Sequence, residues 1–242
     1  MKTTRCCIFF FLLASCSSSY IPSSKNVPLF EKKGEIQMEA GASTNSLYLT
    51  GSYAFSEKYA VIANGSVSYP ALAGKPIRGY NELTIFTDGD VPHHFFEMGI
   101  GRYNLLSSSK RRLEVFAGSG YGMAYDYFSK DYKSHYFQGF MQVNAGKIYN
   151  HVEIGWSLRT VYTGFKYQYG YYISGSYPNE YIIKHANYHA LYIEPLFVIR
   201  VGGQHLRWFA KSGFNLGIPL SSFSNSIDHT IFHISTGVSF RF

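Results

Sequence analysis

The chain has 242 residues, of which 46% are hydrophobic, 18% aromatic and only 15% charged, and its formal net charge is +7. This composition excludes an intrinsically disordered chain, which combines high charge with few aromatic residues, and no apolar run is long enough for a helical membrane span. The length favours one large β domain.

The first segment, residues 1–15, has the features of a secretory signal peptide. Lys2 and Arg5 precede the apolar run 8–14, which is shorter than the roughly 20 residues that a membrane-spanning helix needs. The leader ends in the stretch LASC, which resembles the bacterial lipobox and places its cysteine at Cys16. The resemblance implies cleavage before this cysteine and its acylation with fatty acids such as palmitate. An ordinary signal peptide followed by a chance cysteine is the alternative.

Cysteine usage agrees with lipid attachment at Cys16. The other cysteines, Cys6 and Cys7, lie in the leader, so the mature chain would keep a single cysteine and could form no internal disulfide. Residues 16–33 are polar and contain serine and proline, which predicts a lipidated tether without a core of its own. The mature excess of about five basic residues is too small to predict a nucleic-acid partner.

Residues 34–242 alternate apolar and other residues with a period of two. Successive side chains of a strand point to opposite faces of a sheet, so each segment has one apolar face and one mixed face. We predict ten strands, near residues 35–43, 46–56, 59–69, 94–106, 112–126, 135–148, 151–166, 187–201, 206–219 and 229–242.

The connections between these strands alternate in length, and only the first hairpin, around Thr44 and Asn45, breaks this rule. The short ones are 56–58, 107–111, 149–150 and 202–205, and the long ones are 70–93, 127–134, 168–186 and 220–228. Outer-membrane barrels have short periplasmic turns and longer external loops. The sequence therefore predicts an all-β fold, an antiparallel up-and-down transmembrane β-barrel of about ten strands, with both termini on the periplasmic side.

Aromatic residues recur near the predicted strand ends, where barrels carry aromatic girdles. These residues are Tyr48, Tyr59, Tyr69, Tyr103, Tyr125, Tyr149, Tyr162, Tyr167, Tyr188 and Trp208.

The mixed face of the strands would line the lumen. It carries both acids and bases, and an unpaired buried charge costs several kcal/mol, so we expect a paired charge network that fills the narrow interior. The predicted members are Glu97, Glu114, Glu153, Arg159, Glu194, Arg200, Lys211 and Arg241, with Arg102 also facing inward. Inward glycines would make room for them at Gly118, Gly120, Gly155, Gly213 and Gly237.

The chain resembles the β-barrel outer-membrane lipoproteins of Bacteroidota-type bacteria. The similar stretches are the post-anchor segment 20–35, the tripeptide 193–195 and the C-terminal segment 237–242, whose last residue is Phe242. The resemblance implies outer-membrane lipid and the barrel-assembly machinery as partners, and it implies no cofactor and no single activity. Acidic residues that accompany surface export in that family are lacking after Cys16, which implies an anchor on the periplasmic side.

Two groups of residues are candidates for a metal site or a catalytic site. Asp88, Asp90, His93 and His94 offer metal-ligand types but match no recognised ligand spacing. His185, His189, Asp228, His229 and His233 would lie near the loop bases, where a hydrolase would also need a nucleophile within hydrogen-bond reach.

Three hypotheses of function stay open. We expect no enzymatic activity and favour a structural, interaction or small-ligand-binding role. The alternatives are an outer-membrane enzyme acting on lipid or peptide, and a periplasmic lipoprotein with a soluble β-sandwich or lipocalin-like fold.

Overall fold

The computed structural model describes residues 24–44, 46–69, 93–106, 110–125, 133–172, 181–221 and 232–242. Its strands form one antiparallel sheet. They are β1 (Ile36–Ser43), β2 (Ser46–Tyr53), β3 (Tyr59–Ser68), β4 (His93–Arg102), β5 (Arg111–Tyr125), β6 (Lys133–Ile148), β7 (Val152–Tyr172), β8 (Tyr181–Gly202), β9 (Leu206–Phe214), β10 (Leu216–Pro219) and β11 (Phe232–Arg241). None of the described residues belongs to a helix that is long and apolar enough to cross a membrane.

The sheet closes on itself as a barrel. Strands β1 to β8 pair in chain order, β8 pairs with β9 and β10, and β9 pairs with β11, which returns to β1. Strands β9 and β10 are separated only around Asn215 and keep one register against β8, because Leu196 pairs with Gly213 and Ile193 with Leu216. They form one wall strand, so the predicted ten-stranded antiparallel barrel is confirmed. Closure also rules out the β-sandwich alternative.

The two ends of the barrel differ in their connections. We call the end with the connections 54–58, 103–110, 149–151 and 203–205 the turn end, and the opposite end the loop end. One predicted connection, 168–186, is too long, because β7 and β8 stay paired up to Tyr172 and Tyr181. Tyrosine and isoleucine suit a paired strand surface, and they carry this hairpin beyond the predicted strand limits.

The outer face of the barrel is apolar in its middle and charged only near its ends, among the described side chains. Met141 is 64% exposed and Trp156 is 60% exposed. The outward basic and histidine side chains are His94, His135, Lys166 and His189 toward the loop end and Arg102, Arg111 and Lys147 toward the turn end. Along β6, His135 and Lys147 lie about 30 Å apart across the barrel wall, given a rise of about 3.3 Å per residue and a tilt of about 40°.

Two sequence predictions fail because of strand parity. Arg102 faces outward, since it lies five positions from the inward Glu97 and residues an odd number apart point to opposite faces. Among the predicted girdle residues, Tyr59, Tyr149, Tyr162 and Trp208 are exposed, but Tyr48, Tyr103 and Tyr188 are buried inside the barrel.

Candidate functional site

The lumen is occupied by the chain itself. Residues 24–30, which we name the plug segment, precede β1 and are all buried. The sequence predicts a tether without a core of its own over residues 16–33, and the structure places residues 24–30 of that stretch inside the barrel. Their burial depends on the barrel wall around them, because the segment has no strand partner of its own.

Wall side chains satisfy the backbone of the plug segment. Four successive carbonyl groups, from residues 25 to 28, each accept a hydrogen bond from a different strand of the barrel. The bonds are Lys211 Nζ to Lys25 O (2.8 Å), Gln142 Nε2 to Asn26 O (2.6 Å), Arg200 Nη2 to Val27 O (2.7 Å) and Arg241 Nη2 to Pro28 O (3.0 Å). A buried backbone group without a partner costs free energy, so these bonds allow an extended chain to lie inside the barrel.

An acidic side chain binds the other end of the plug segment. The backbone N–H of Phe30 donates to Glu114 Oε1 at 2.7 Å, and Asn144 Nδ2 donates to the second oxygen of the same carboxylate at 3.1 Å. We predicted Glu114 as a member of an acid–base network. The structure instead places it against amide donors, where it holds the plug segment.

A first group of charges, the central cluster, lies near the middle of the barrel. Arg159 meets Glu97 with both terminal nitrogens, one of them at 2.7 Å, and Gln138 donates to the same carboxylate at 2.7 Å. Glu194 lies 3.8 Å from Arg159 Nε and 3.4 Å from Lys25 Nζ of the plug segment. The plug therefore supplies one of the cations of this cluster.

A second group, the lower cluster, lies closer to the turn end and centres on Arg200. Its guanidinium binds Glu39 at 2.6 Å and also pairs with Glu153. Lys211 binds the other oxygen of Glu39 at 2.6 Å. Glu153 receives two further cations, Arg207 at 2.7 Å and Arg241 at 2.8 Å, and Arg241 also reaches Glu35 at 3.0 Å.

Six acids and six bases are buried among the described residues, and Arg241, which is 13% exposed, adds a further inward base. The buried acids are Glu35, Glu39, Glu97, Glu114, Glu153 and Glu194, and the buried bases are Lys25, Arg112, Arg159, Arg200, Arg207 and Lys211. Ions transferred from water to a protein interior need such partners, because their desolvation costs several kcal/mol each. All eight predicted network residues point into the lumen, and this filled, charged interior does not match the open apolar cavity of a lipocalin.

The apolar side chains of the plug segment fit against small wall residues. Leu29 has a backbone φ of +53°, which is uncommon for a residue with a side chain, and its methyl groups lie against Gly146 and Gly155. The Phe30 ring packs on the Tyr103 ring with a centroid distance of 5.3 Å. The glycines thus form a shallow recess in the wall for Leu29.

This recess gives a matched pair of substitutions in β6. A Cβ atom at Gly146 would lie 2.8 Å from Ile154 O and would overlap Leu29, whereas nothing lies within 4 Å of a Cβ at the outward Gly139. We expect Gly146→Ala to lower the free energy of unfolding by about 1–3 kcal/mol, as overpacking does. Gly139→Ala should leave it unchanged or slightly higher. Urea unfolding of both variants in lipid vesicles measures the difference, and equal stabilities would contradict the packing of Leu29 in the recess.

Among the histidines singled out in the sequence, those with described side chains point to different faces of the barrel wall. His93 points into the lumen and pairs with the Tyr136 hydroxyl, whereas its neighbour His94 is exposed on the outer face. His189 also faces outward and contacts the Tyr162 hydroxyl at 2.8 Å. No group of three or more His, Cys, Asp or Glu residues that could hold a metal occurs among the described residues. Asp88, Asp90, Asp228 and His229 lie outside those residues, as does Cys16, and the side chain of His185 is not described.

Sequence reasoning missed several residues of the lumen. Glu39 and Arg207 stand at inward positions of predicted strands, so the alternation could have identified them. Lys25 carried no such signal, because its segment has no periodicity.

No family model matches this chain, and no curated protein is similar to it. Among solved structures, the chain is similar to the outer membrane protease OmpT from Escherichia coli, with a TM-score of 0.47 and 11% sequence identity. The similarity covers 86% of this chain and 92% of that chain. A similarity at this level says nothing about the activity of this chain.

Proposed function

We propose that the protein is a sealed outer-membrane β-barrel lipoprotein, acylated at Cys16, that serves as a membrane-embedded structural or binding element and not as a pore. The observation that carries this proposal is the inverted distribution of polarity. The outer wall exposes apolar side chains, whereas the buried interior holds six acids and six bases. A water-soluble domain has the opposite arrangement, and lipid tails are the surroundings that favour this one.

The filled lumen supports the absence of a pore. The plug segment is buried and its carbonyl groups bind four strands of the wall. An ion entering the barrel would have to displace buried ion pairs whose separation costs several kcal/mol. The binding role would then fall to the loop end, where the longer connections lie, and contacts there with a protein or a small ligand would fit this architecture.

Replacing outward residues at two different depths tests whether the barrel lies in a membrane. Met141 lies midway between His135 and Lys147 on the outer face, so Met141→Arg should lower the stability of the barrel in lipid vesicles by about 2–4 kcal/mol. Tyr149→Arg, at the turn end, should lower it by at most about 1 kcal/mol. The measurement is the urea concentration at which half of the protein is unfolded, read from the loss of the folded band that migrates faster on unheated gels.

Detergent-free buffer provides the control for this comparison. Met141 is exposed, so in a water-soluble barrel an arginine there would be harmless. A stable, soluble Met141→Arg protein without lipid would therefore count against the membrane-embedded barrel.

A further inference from the structure

A group of basic side chains lies on the outside of the barrel at the turn end. It consists of Lys110 in the connection before β5, Arg111 at the start of β5 and Lys147 near the end of β6, and we name it the basic patch. We propose that the basic patch binds the phosphate group of an anionic membrane lipid in the leaflet at the turn end. This inference rests on the membrane-embedded barrel proposed above and names the lipid chemistry that one part of its wall recognises.

The strand register brings these basic side chains together. Arg111 and Lys147 are direct cross-strand partners in β5 and β6. Both point outward, because the residues that follow them, Arg112 and Ile148, are buried on the inner side. Side chains that face each other in this way have Cβ atoms about 5 Å apart. Lys110 is held beside them, since its carbonyl oxygen accepts a hydrogen bond from the backbone N–H of Ile148 at 3.0 Å.

The outer face around the basic patch carries positive charge without acidic residues. Residues 98–113 and 132–152, which contain the patch and the strand segments beside it, include no aspartate or glutamate. The glutamates of the described strands all point into the lumen, and they are Glu39, Glu97, Glu114, Glu153 and Glu194. Like charges directly opposite each other destabilise a sheet, so an anion bound from outside would stabilise the pairing of Arg111 with Lys147.

The basic patch lies at the depth where lipid phosphates are expected. Lys147 is about 30 Å from His135 across the barrel wall, which equals the thickness of the hydrocarbon core of a bilayer, about 30 Å. The Nζ atom of Lys147 lies 4.9 Å from the centre of the Tyr149 ring, and aromatic rings favour the boundary between membrane and water. The patch therefore stands at the edge of the membrane rather than in free solvent.

The chemistry of the patch and of the wall beside it suits a phospholipid. The planar guanidinium of Arg111 can donate to two phosphate oxygens at once, and the two lysines add compact positive charges. Farther from the turn end, the outward Ala145 lies opposite Trp156, which is exposed. The small side chain and the exposed indole offer an apolar surface to acyl chains, which a soluble acidic protein would leave uncovered.

Lipid titration of the folded full-length chain tests the proposal. Phosphatidylglycerol or phosphatidylcholine is added to the barrel in zwitterionic detergent, and native mass spectrometry gives the dissociation constant of the first bound lipid. We expect the native chain to prefer phosphatidylglycerol. Arg111→Gln combined with Lys147→Gln should weaken its binding at least about fivefold, which is the effect of a single lysine or arginine near an anionic membrane surface. Equal affinity of the native chain for both lipids would overturn the inference.

A matched variant controls for the general loss of positive charge. Lys32→Gln combined with Lys33→Gln also removes two exposed charges at the turn end, but these residues precede β1 and lie outside the strands of the wall. This variant should bind phosphatidylglycerol as the native chain does. An equal loss of affinity in both double variants would show that net charge, and not the basic patch, attracts the lipid.

A measurement on the native chain covers the case in which the substitutions disturb folding. Photoactivatable phosphatidylglycerol is mixed into phosphatidylcholine vesicles that contain the native barrel, and the cross-linked peptides are identified after digestion. Cross-links concentrated at residues 110–113 and 145–149 support the proposal, and cross-links spread evenly around the barrel refute it.

Inorganic phosphate tests whether a lipid is the source of the bound group. Salt screens exposed charges, so sodium chloride and sodium phosphate at the same ionic strength should weaken the binding of phosphatidylglycerol equally. A loss of the lipid that occurs only in sodium phosphate would assign the basic patch to free phosphate and overturn the lipid as its occupant.

Insertion into phosphatidylcholine vesicles distinguishes failure of the patch from failure of the barrel. A chain that floats with these vesicles and forms the fast-migrating folded band, but shows no preference for phosphatidylglycerol, refutes the lipid site alone. A chain that folds and stays in solution refutes the membrane location and the lipid site together.

Discussion

Replacing Arg200 with methionine is expected to destabilise the barrel more than any other single substitution in its wall. The guanidinium joins three parts of the molecule, because it binds Glu39 of β1, Glu153 of β7 and the carbonyl oxygen of Val27 in the plug segment. Breaking a buried charge pair by removing one partner costs about 3–5 kcal/mol. With a urea dependence of about 2 kcal/mol per molar, the unfolding midpoint should fall by about 2 M.

Two further variants separate the charge of Arg200 from its geometry. Arg200→Lys keeps the positive charge but cannot offer a planar fork to several acceptors at once, so it should show an intermediate loss. Arg102→Met removes an exposed arginine from the outer face and should change the free energy of unfolding by no more than about 0.5 kcal/mol. If Arg200→Met and Arg102→Met unfold at the same urea concentration, the lower cluster does not stabilise the barrel as argued.

The strand alternation was sufficient to predict most of the wall. Glu153, Arg159, Glu194 and Arg200 were assigned to the lumen because a period of two separates the faces of a strand without any knowledge of the fold. Arg102 failed under the same rule, since its distance from Glu97 puts it on the opposite face. The alternation thus predicts which face of the sheet a residue lies on, provided that it is counted from a residue of the same strand whose orientation is known.

The plug segment could not be predicted in this way. Most of its carbonyl groups are held by side chains that are distant in the sequence, as in the bond from Arg200 to Val27 and that from Lys211 to Lys25. A local pattern cannot encode such partners, and serine and proline in residues 16–33 resemble those of a solvated linker. One observation in the sequence agrees with burial after the fact: the apolar residues Val27, Leu29 and Phe30 stand close together in a segment otherwise judged polar.

The plug and the wall depend on each other. Some hydrogen-bond donors of the wall side chains bind carbonyl groups of the plug segment in addition to the acidic side chains of the wall. In turn, Lys25 of the plug segment pairs with Glu194 in the central cluster. A half-satisfied buried network is worse than an apolar interior. The barrel is therefore expected to close around the N-terminal segment, because an empty lumen would leave four wall side chains without their plug carbonyl acceptors and Glu194 without Lys25.

Replacing the plug segment is expected to convert a barrel that passes no ions into one that conducts them. If residues 24–30 are exchanged for seven glycine and serine residues, the backbone carbonyl acceptors remain, but the ion pair of Lys25 with Glu194 and the apolar side chains that pack against the wall and exclude water are lost. Glycine also raises the entropy cost of ordering the segment, so we expect the replacement to leave the lumen. The exposed acids and bases of the wall would then be hydrated, and ions could follow the water. In planar lipid bilayers we expect no steady current from the native protein and discrete ionic current steps from the variant.

The matched control leaves the plug in place and changes the exposed residues beside it. Lys32→Ser combined with Lys33→Ser alters side chains at the turn end that are open to solvent, so this variant should be as silent as the native protein. The result has a clear physical reading, because both variants keep every strand and differ only in whether the lumen is filled. A plug-replaced barrel that is folded, as judged from its unheated gel mobility, and yet passes no current would show that the wall side chains alone seal the lumen.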